Sequence, residues 1–208
     1  MFKDSGFYQH VKANFYDPAA NTDCGKLVFI SDVRVRWKIT QRILTNLSKI
    51  TNGGISKSLN DMLYEVIWEA TWNTCEHAWK FNKNEYYWWV TYYYYEDTNS
   101  IDLCLLDLWE WIFGTLKQSW VYEDEGIIFS QNPSHLKKML HWEVAYSSSE
   151  KKEERWHWMK TFYTFSQRED VTAAIIISNN VYADIMKDKY ERIQTHLHGT
   201  FCFFTIQL

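Results

Sequence analysis

Residues 88–126 constrain this chain more than any other stretch. They open with the run Trp88-Trp89-Val90-Thr91-Tyr92, whose aromatic and β-branched side chains suit a pleated, partly buried strand. A short polar turn follows, and Ser100 then stands before Ile101-Asp102 and an apolar run that stops at Gly114. Serine is a strong N-cap type, an aspartate in a first turn favours the positive end of the helix dipole, and glycine commonly ends a helix. A second glycine, Gly126, opens the apolar run Ile127-Ile128-Phe129. The expectation is a strand, a capped helix carrying Cys104, and a further strand.

Around this unit, 208 residues are enough for one domain with a full core and too few for two ordinary ones. The whole chain, 1–208, is therefore read as a single domain. Twelve tryptophans, 14 tyrosines and 12 phenylalanines make 18% of the chain aromatic. Most of these rings must pack the core, but so many tryptophans also suit a site where a flat ligand is held against rings. The net charge of −4 supplies no global positive field for long nucleic acid, so DNA is not an expected partner and any nucleotide contact should be local. Cys24, Cys75, Cys104 and Cys202 are widely separated, without the close pairing of a metal site, and read as free thiols. With no apolar signal region at the start and no run long enough for a membrane span, the expected setting is soluble and cytoplasmic.

Alternation and punctuation along the chain predict strands over 11–16, 26–30 and 33–39. Thr40 is the expected N-cap of a helix over 41–50, closed by Asn52-Gly53-Gly54. Strands are expected over 62–71 and 86–95, then the helix from 101, then strands over 121–129 and 139–146 with Asn132-Pro133 between them. A charged helix over 148–162, a buried strand over 172–177, a helix over 184–197 and a last strand over 200–208 complete the reading. Strand, strand, helix recurs along the core. The fold class expected is α+β: a curved antiparallel sheet with three helices on its convex face, leaving the other face for a ligand.

The order, spacing and residue types of 88–126 resemble the central unit of the eukaryotic 4E-type family of mRNA cap-binding translation initiation factors. Trp88, Thr91, Asp102, Leu106, Gly114 and Gly126 fall on that family's usual residues, and Asp107 stands where it has glutamate. Leu63-Tyr64 fits its Leu-Phe strand motif, and residues 173–179 resemble its last strand. The resemblance covers about 11–185, with 186–208 left as a C-terminal extension.

The resemblance implies a noncatalytic protein of translation initiation, without cofactor, that stacks the methylated guanine of a capped mRNA 5′ end between aromatic rings. Carried over residue by residue, the cap-binding set is Trp72, Glu76, Phe29, Trp142, Lys137 and Lys138. Trp68 and Trp79 compete with Trp72 for the first ring, and Tyr16 with Phe29 for the second. Asn73 follows Trp72 where the family has its guanine-reading glutamate, which leaves Glu76 or Glu69 for that task. Asn132 replaces a phosphate-binding arginine, so His135, Lys137 and Lys138 remain as the polar contacts. On the other face, Leu106 and Asp107 imply docking of a helical peptide from a translation scaffold or repressor. Trp109, Trp111 and Phe113 also lie in the expected helix.

Two other classes compete. The seven histidines offer acid–base groups, but none lies in a nucleophile motif, a metal pair or a glycine-rich phosphate loop. The chain is also readable as a protein-interaction domain that keeps the scaffold and has lost or altered cap binding.

Overall fold

Two antiparallel hairpins and one edge strand build the sheet. The computed structural model describes residues 27–32, 37–79, 88–107, 132–141 and 157–208. The expected strands over 11–16 and 121–129 lie outside these residues, as do positions 108–114 of the expected second helix and 148–156 of the third. Within them the order is β1 (Leu27–Asp32), α1 (Trp37–Ile50), α2 (Lys57–Trp79), β2 (Trp88–Tyr95), β3 (Ser100–Asp107), α3 (Asn132–Leu140), α4 (His157–Ser166), β4 (Val171–Asp184) and β5 (Lys189–Gln207). The five strands form one sheet in the order β1-β2-β3-β5-β4, and every neighbouring pair is antiparallel. The α+β class holds, with four helices among the described residues.

Helix α1 spaces Ile43, Leu44 and Leu47 at the helical period and buries all three. It begins earlier than Thr40, which is buried inside it. Its end is chemically defined. Asn52 takes the left-handed conformation at φ 51°, and its amide donates to the Lys49 carbonyl at 3.2 Å. The Gly53 amide donates to the Ser48 carbonyl at 2.8 Å, which completes a Schellman cap.

Helix α2 corrects the strand expected over 62–71. Leu59, Leu63, Val66 and Ile67 are buried at helical spacing, and Ser56 Oγ accepts from the Leu59 amide at 3.2 Å as an N-cap. Valine, isoleucine and tryptophan in this stretch are strand formers by type, but tertiary burial of one stripe outweighs that preference.

Strand β3 corrects the expected second helix where the two overlap. Ser100 caps nothing. It closes the β2–β3 turn, its hydroxyl 2.7 Å from that of Thr98, and pairs with Tyr95. Ile101, Leu103 and Leu105 are buried on one face, opposite Tyr94, Tyr92 and Val90. Cys104 is therefore a strand residue.

Two further corrections concern α3 and β5. Residues 139–140, expected to open a strand, end a helix whose buried stripe is Asn132, His135, Leu136, Met139 and Leu140. Pro133 fits its first turn, where no amide donor is needed. The helix expected over 184–197 is the β4–β5 turn and the start of β5, in which Val181 pairs with Arg192 and Tyr182 with Glu191. Of residues 33–39, expected as a strand, 37–39 open α1 and 33–36 lie outside the described residues. Residues 189–207 are no extension: β5 lies between β3 and β4.

Cross-strand partners share a face, so the register sorts the sheet into two sides. One side carries Tyr92, Leu103, Phe204 and Ala174 in a row, flanked by Val90-Leu105-Cys202-Ile176 and Tyr94-Ile101-Ile206. The helices cover it: Phe204 meets Phe162 of α4 at 5.4 Å and Phe165 at 5.0 Å. The other side carries Tyr93-Asp102-Thr205, Thr91-Cys104-Phe203-Ile175 and Trp89-Leu106-Phe201-Ile177. Trp89, Thr91 and Cys104 are buried there too, so the centre of this side is not the open ligand face that was expected.

Candidate functional site

Trp72 stands on α2 rather than on a loop, and it is 48% exposed. The i, i+4 spacing of a helix places Tyr64, Trp68 and Trp72 above one another on one face. Trp68 stacks on Tyr64 at 6.2 Å and 5° between planes, and Trp72 on Trp68 at 5.6 Å and 18°. Trp68 and Trp72 are thus already in contact, and no base fits between them. Trp72 is the half-exposed end ring of the stack that Tyr64 and Trp68 continue. Glu76 lies one turn farther along α2 and Glu69 just under one turn back, and the Glu76 side chain is outside the described set.

Of the remaining expected cap contacts, Lys137 and Lys138 are the ones whose side chains are described. Phe29 lies on β1 in register with Thr91, whereas Trp72 belongs to α2; the Phe29 side chain is outside the described set. Lys137 lies on α3, bonded to Asp188 of the β4–β5 turn and 5.6 Å from the Tyr190 ring. Lys138 is exposed on the same helix. Asn132 is 1% exposed, and neither atom of its amide has a hydrogen-bond partner, so it offers nothing to a phosphate at the surface. Trp79 ends α2, with its side chain outside the described set. Trp142 and Tyr16 lie outside the described residues.

Leu106 and Asp107 pair with Trp89 and Trp88 on β3. A second helix presenting them to a peptide is not what this segment forms, which corrects the expected docking geometry. Trp109, Trp111 and Phe113 lie outside the described residues.

Neither acid–base nor thiol chemistry is assembled among the described residues. His135 is buried in α3, and His141 packs against Tyr163 at 4.6 Å. No group of three or more His, Cys, Asp or Glu is placed to hold a metal ion among the described residues. Cys104 and Cys202 are free and buried. Burial, followed by the Asp102 charge, pushes the Cys104 thiol up to about 12, and burial raises Cys202 well above its usual value. Both are held as neutral thiols, the unreactive form. No described helix is long and apolar enough to cross a membrane.

Two aromatic features escaped the sequence reading. Trp37, expected inside a strand, opens α1 with 59% of its surface exposed and has Lys38 Nζ 5.7 Å from its ring. Tyr93 and Tyr95 meet at 4.5 Å and 67° beside the β2–β3 turn. Tyr95 donates to Asp102 Oδ2 at 3.1 Å, and Thr205 donates to Asp102 Oδ1 at 2.7 Å. Burial, then the Asp102 charge and this hydrogen bond, push the Tyr95 hydroxyl up to about 12. The period-2 alternation of β2 would have placed both tyrosines on one face, had 100–107 been read as its hairpin partner.

No protein-family model matches the chain, and no curated protein matches it.

Proposed function

We propose that this is a noncatalytic binding domain that takes a flat, cationic aromatic ring on the outer face of Trp72. The N7-methylated guanine of a capped mRNA 5′ end is the ligand class indicated by the resemblance to the 4E-type initiation factors, and a cytoplasmic role in translation initiation follows from it. The observation that carries the reading is a half-exposed tryptophan at the end of a three-ring stack on α2. A methylated purine carries positive charge, and an indole face attracts it by stacking and by its quadrupole. Glu69 and Glu76 flank Trp72 along the helix as candidate acceptors for the guanine edge. A single platform stacks one face of the base only, so binding should be weaker than by a two-ring sandwich.

A second reading is an interaction domain that does not take a cap. It is favoured by the engagement of Lys137 with Asp188. Tryptophan fluorescence separates the two. The first reading predicts saturable quenching by N7-methyl-GTP, weaker quenching by GTP, and loss of the difference in Trp72→Ala. Equal, weak responses to both nucleotides, unchanged in the variant, would favour the second.

A further inference from the structure

We propose that the corner between Tyr93 and Tyr95, at the turn end of the β2–β3 hairpin, is a second binding site and takes a trimethylammonium group. The two residues are separated by one position on β2, so both rings stand on the side of the sheet away from the helices. At 67° the rings form the walls of a corner rather than a stack. Tyr95 is fixed by its bond to Asp102, which Thr205 holds from β5. Tyr93, Tyr94, Tyr95, Glu96 and Asp97 line a depression of about 450 Å³ here, with Glu96 and Asp97 exposed at its rim.

This combination selects a particular cation. A trimethylammonium group cannot donate hydrogen bonds, carries diffuse charge and gives up its hydration readily. Ring faces and nearby carboxylates are the surfaces that attract it. A primary ammonium has to leave stronger hydration, and the ring faces that wall the corner return it no hydrogen bond. Both a trimethylated lysine side chain and phosphocholine carry the group. The acids at the rim repel a phosphate, so the trimethylated lysine side chain is the favoured source.

The site is tested by proton NMR of the full chain with tetramethylammonium chloride, using tert-butanol as the neutral isostere. The expected result is a saturable upfield shift of the tetramethylammonium methyl signal and none for tert-butanol. Tyr95→Ala should weaken binding about tenfold. Asp97→Asn, at an exposed position, should weaken it roughly threefold while the fold is kept. Tyr95→Phe keeps the ring and should stay within about threefold of the wild type. Trp72→Ala should leave this site unchanged, which separates it from the ring platform on α2. In the second arm, N-acetyl-trimethyllysine should bind more tightly than phosphocholine. Equal binding of tert-butanol, a folded Tyr95→Ala protein of undiminished affinity, the absence of a saturable shift, or a preference for phosphocholine would each overturn the proposal.

Discussion

Phe204 shows how single side chains hold this molecule together. It is fully buried near the C-terminal end of β5, edge-on to Phe165 and tilted against Phe162. Phe204→Ala should cost about 3–5 kcal/mol in chemical denaturation. Trp72 makes the opposite case. Its ring is half exposed at the end of a stack, so Trp72→Ala should change stability by no more than about 1 kcal/mol while removing ligand quenching. Titration gives a third test at this scale. Tyr95 and Tyr190 are raised from 10.0 to about 12, both chiefly by burial, and Cys104 from 9.0 to about 12. Each folded-state value lies above the unfolded one, so the unfolded chain loses these protons first as pH rises. The stability they contribute is complete below about pH 9 and declines toward pH 12. Denaturation midpoints measured from pH 8 to 11 should fall, and Cys104→Ala should flatten the lower part of that decline.

At the scale of elements, the contrast between α2 and β3 explains what could be read from the chain. Strand β2 was legible because its strand-forming residue types agree with its burial, and α1 because its apolar stripe and its Asn52-Gly53 stop agree. In 57–79 the signals conflict: side-chain types favour a strand, whereas the buried stripe and the Ser56 cap define a helix. Ser56→Ala should therefore destabilise the protein by about 1 kcal/mol, measurable by thermal unfolding. In 100–107 the conflict runs the other way. Ile101, Cys104 and Leu105 fit a helical stripe as well as Ile101, Leu103 and Leu105 fit alternation. Ser100 reads as a cap only until a strand partner for its segment is known. Its partners are β2, across a four-residue turn, and β5, about a hundred residues away; the second of these is not visible in the local sequence. Leu106 and Asp107 stand on β3 rather than on the helix expected to present them to a peptide. Trp72 was legible as a candidate stacking ring, but the helix that carries it was not.

The whole molecule depends on its C-terminal strand. β5 pairs with β3 on one side and β4 on the other, and its last residues hold the β2–β3 turn. The Leu208 amide donates to the Asn99 carbonyl at 2.9 Å, Asn99 Nδ2 donates to the Leu208 carbonyl at 3.0 Å, and Gln207 Nε2 donates to the Thr98 carbonyl at 2.7 Å. A chain stopped after residue 188 should lose cooperative unfolding altogether. An independent extension would instead leave a folded core, and circular dichroism melts of the two lengths distinguish these outcomes. Of the strand-helix-strand order expected over 88–126, residues 88–107 form two paired strands, and Trp88, Thr91, Asp102, Leu106 and Asp107 stand on them. What remains for function is the ring platform on α2. The most direct measurement is therefore indole-labelled NMR of the intact protein during titration with N7-methyl-GTP. The account predicts that the Trp72 indole signal moves first and furthest, followed by that of Trp68, with GTP producing smaller shifts at the same positions. Saturable shifts centred on Trp142, or none at Trp72, would contradict it.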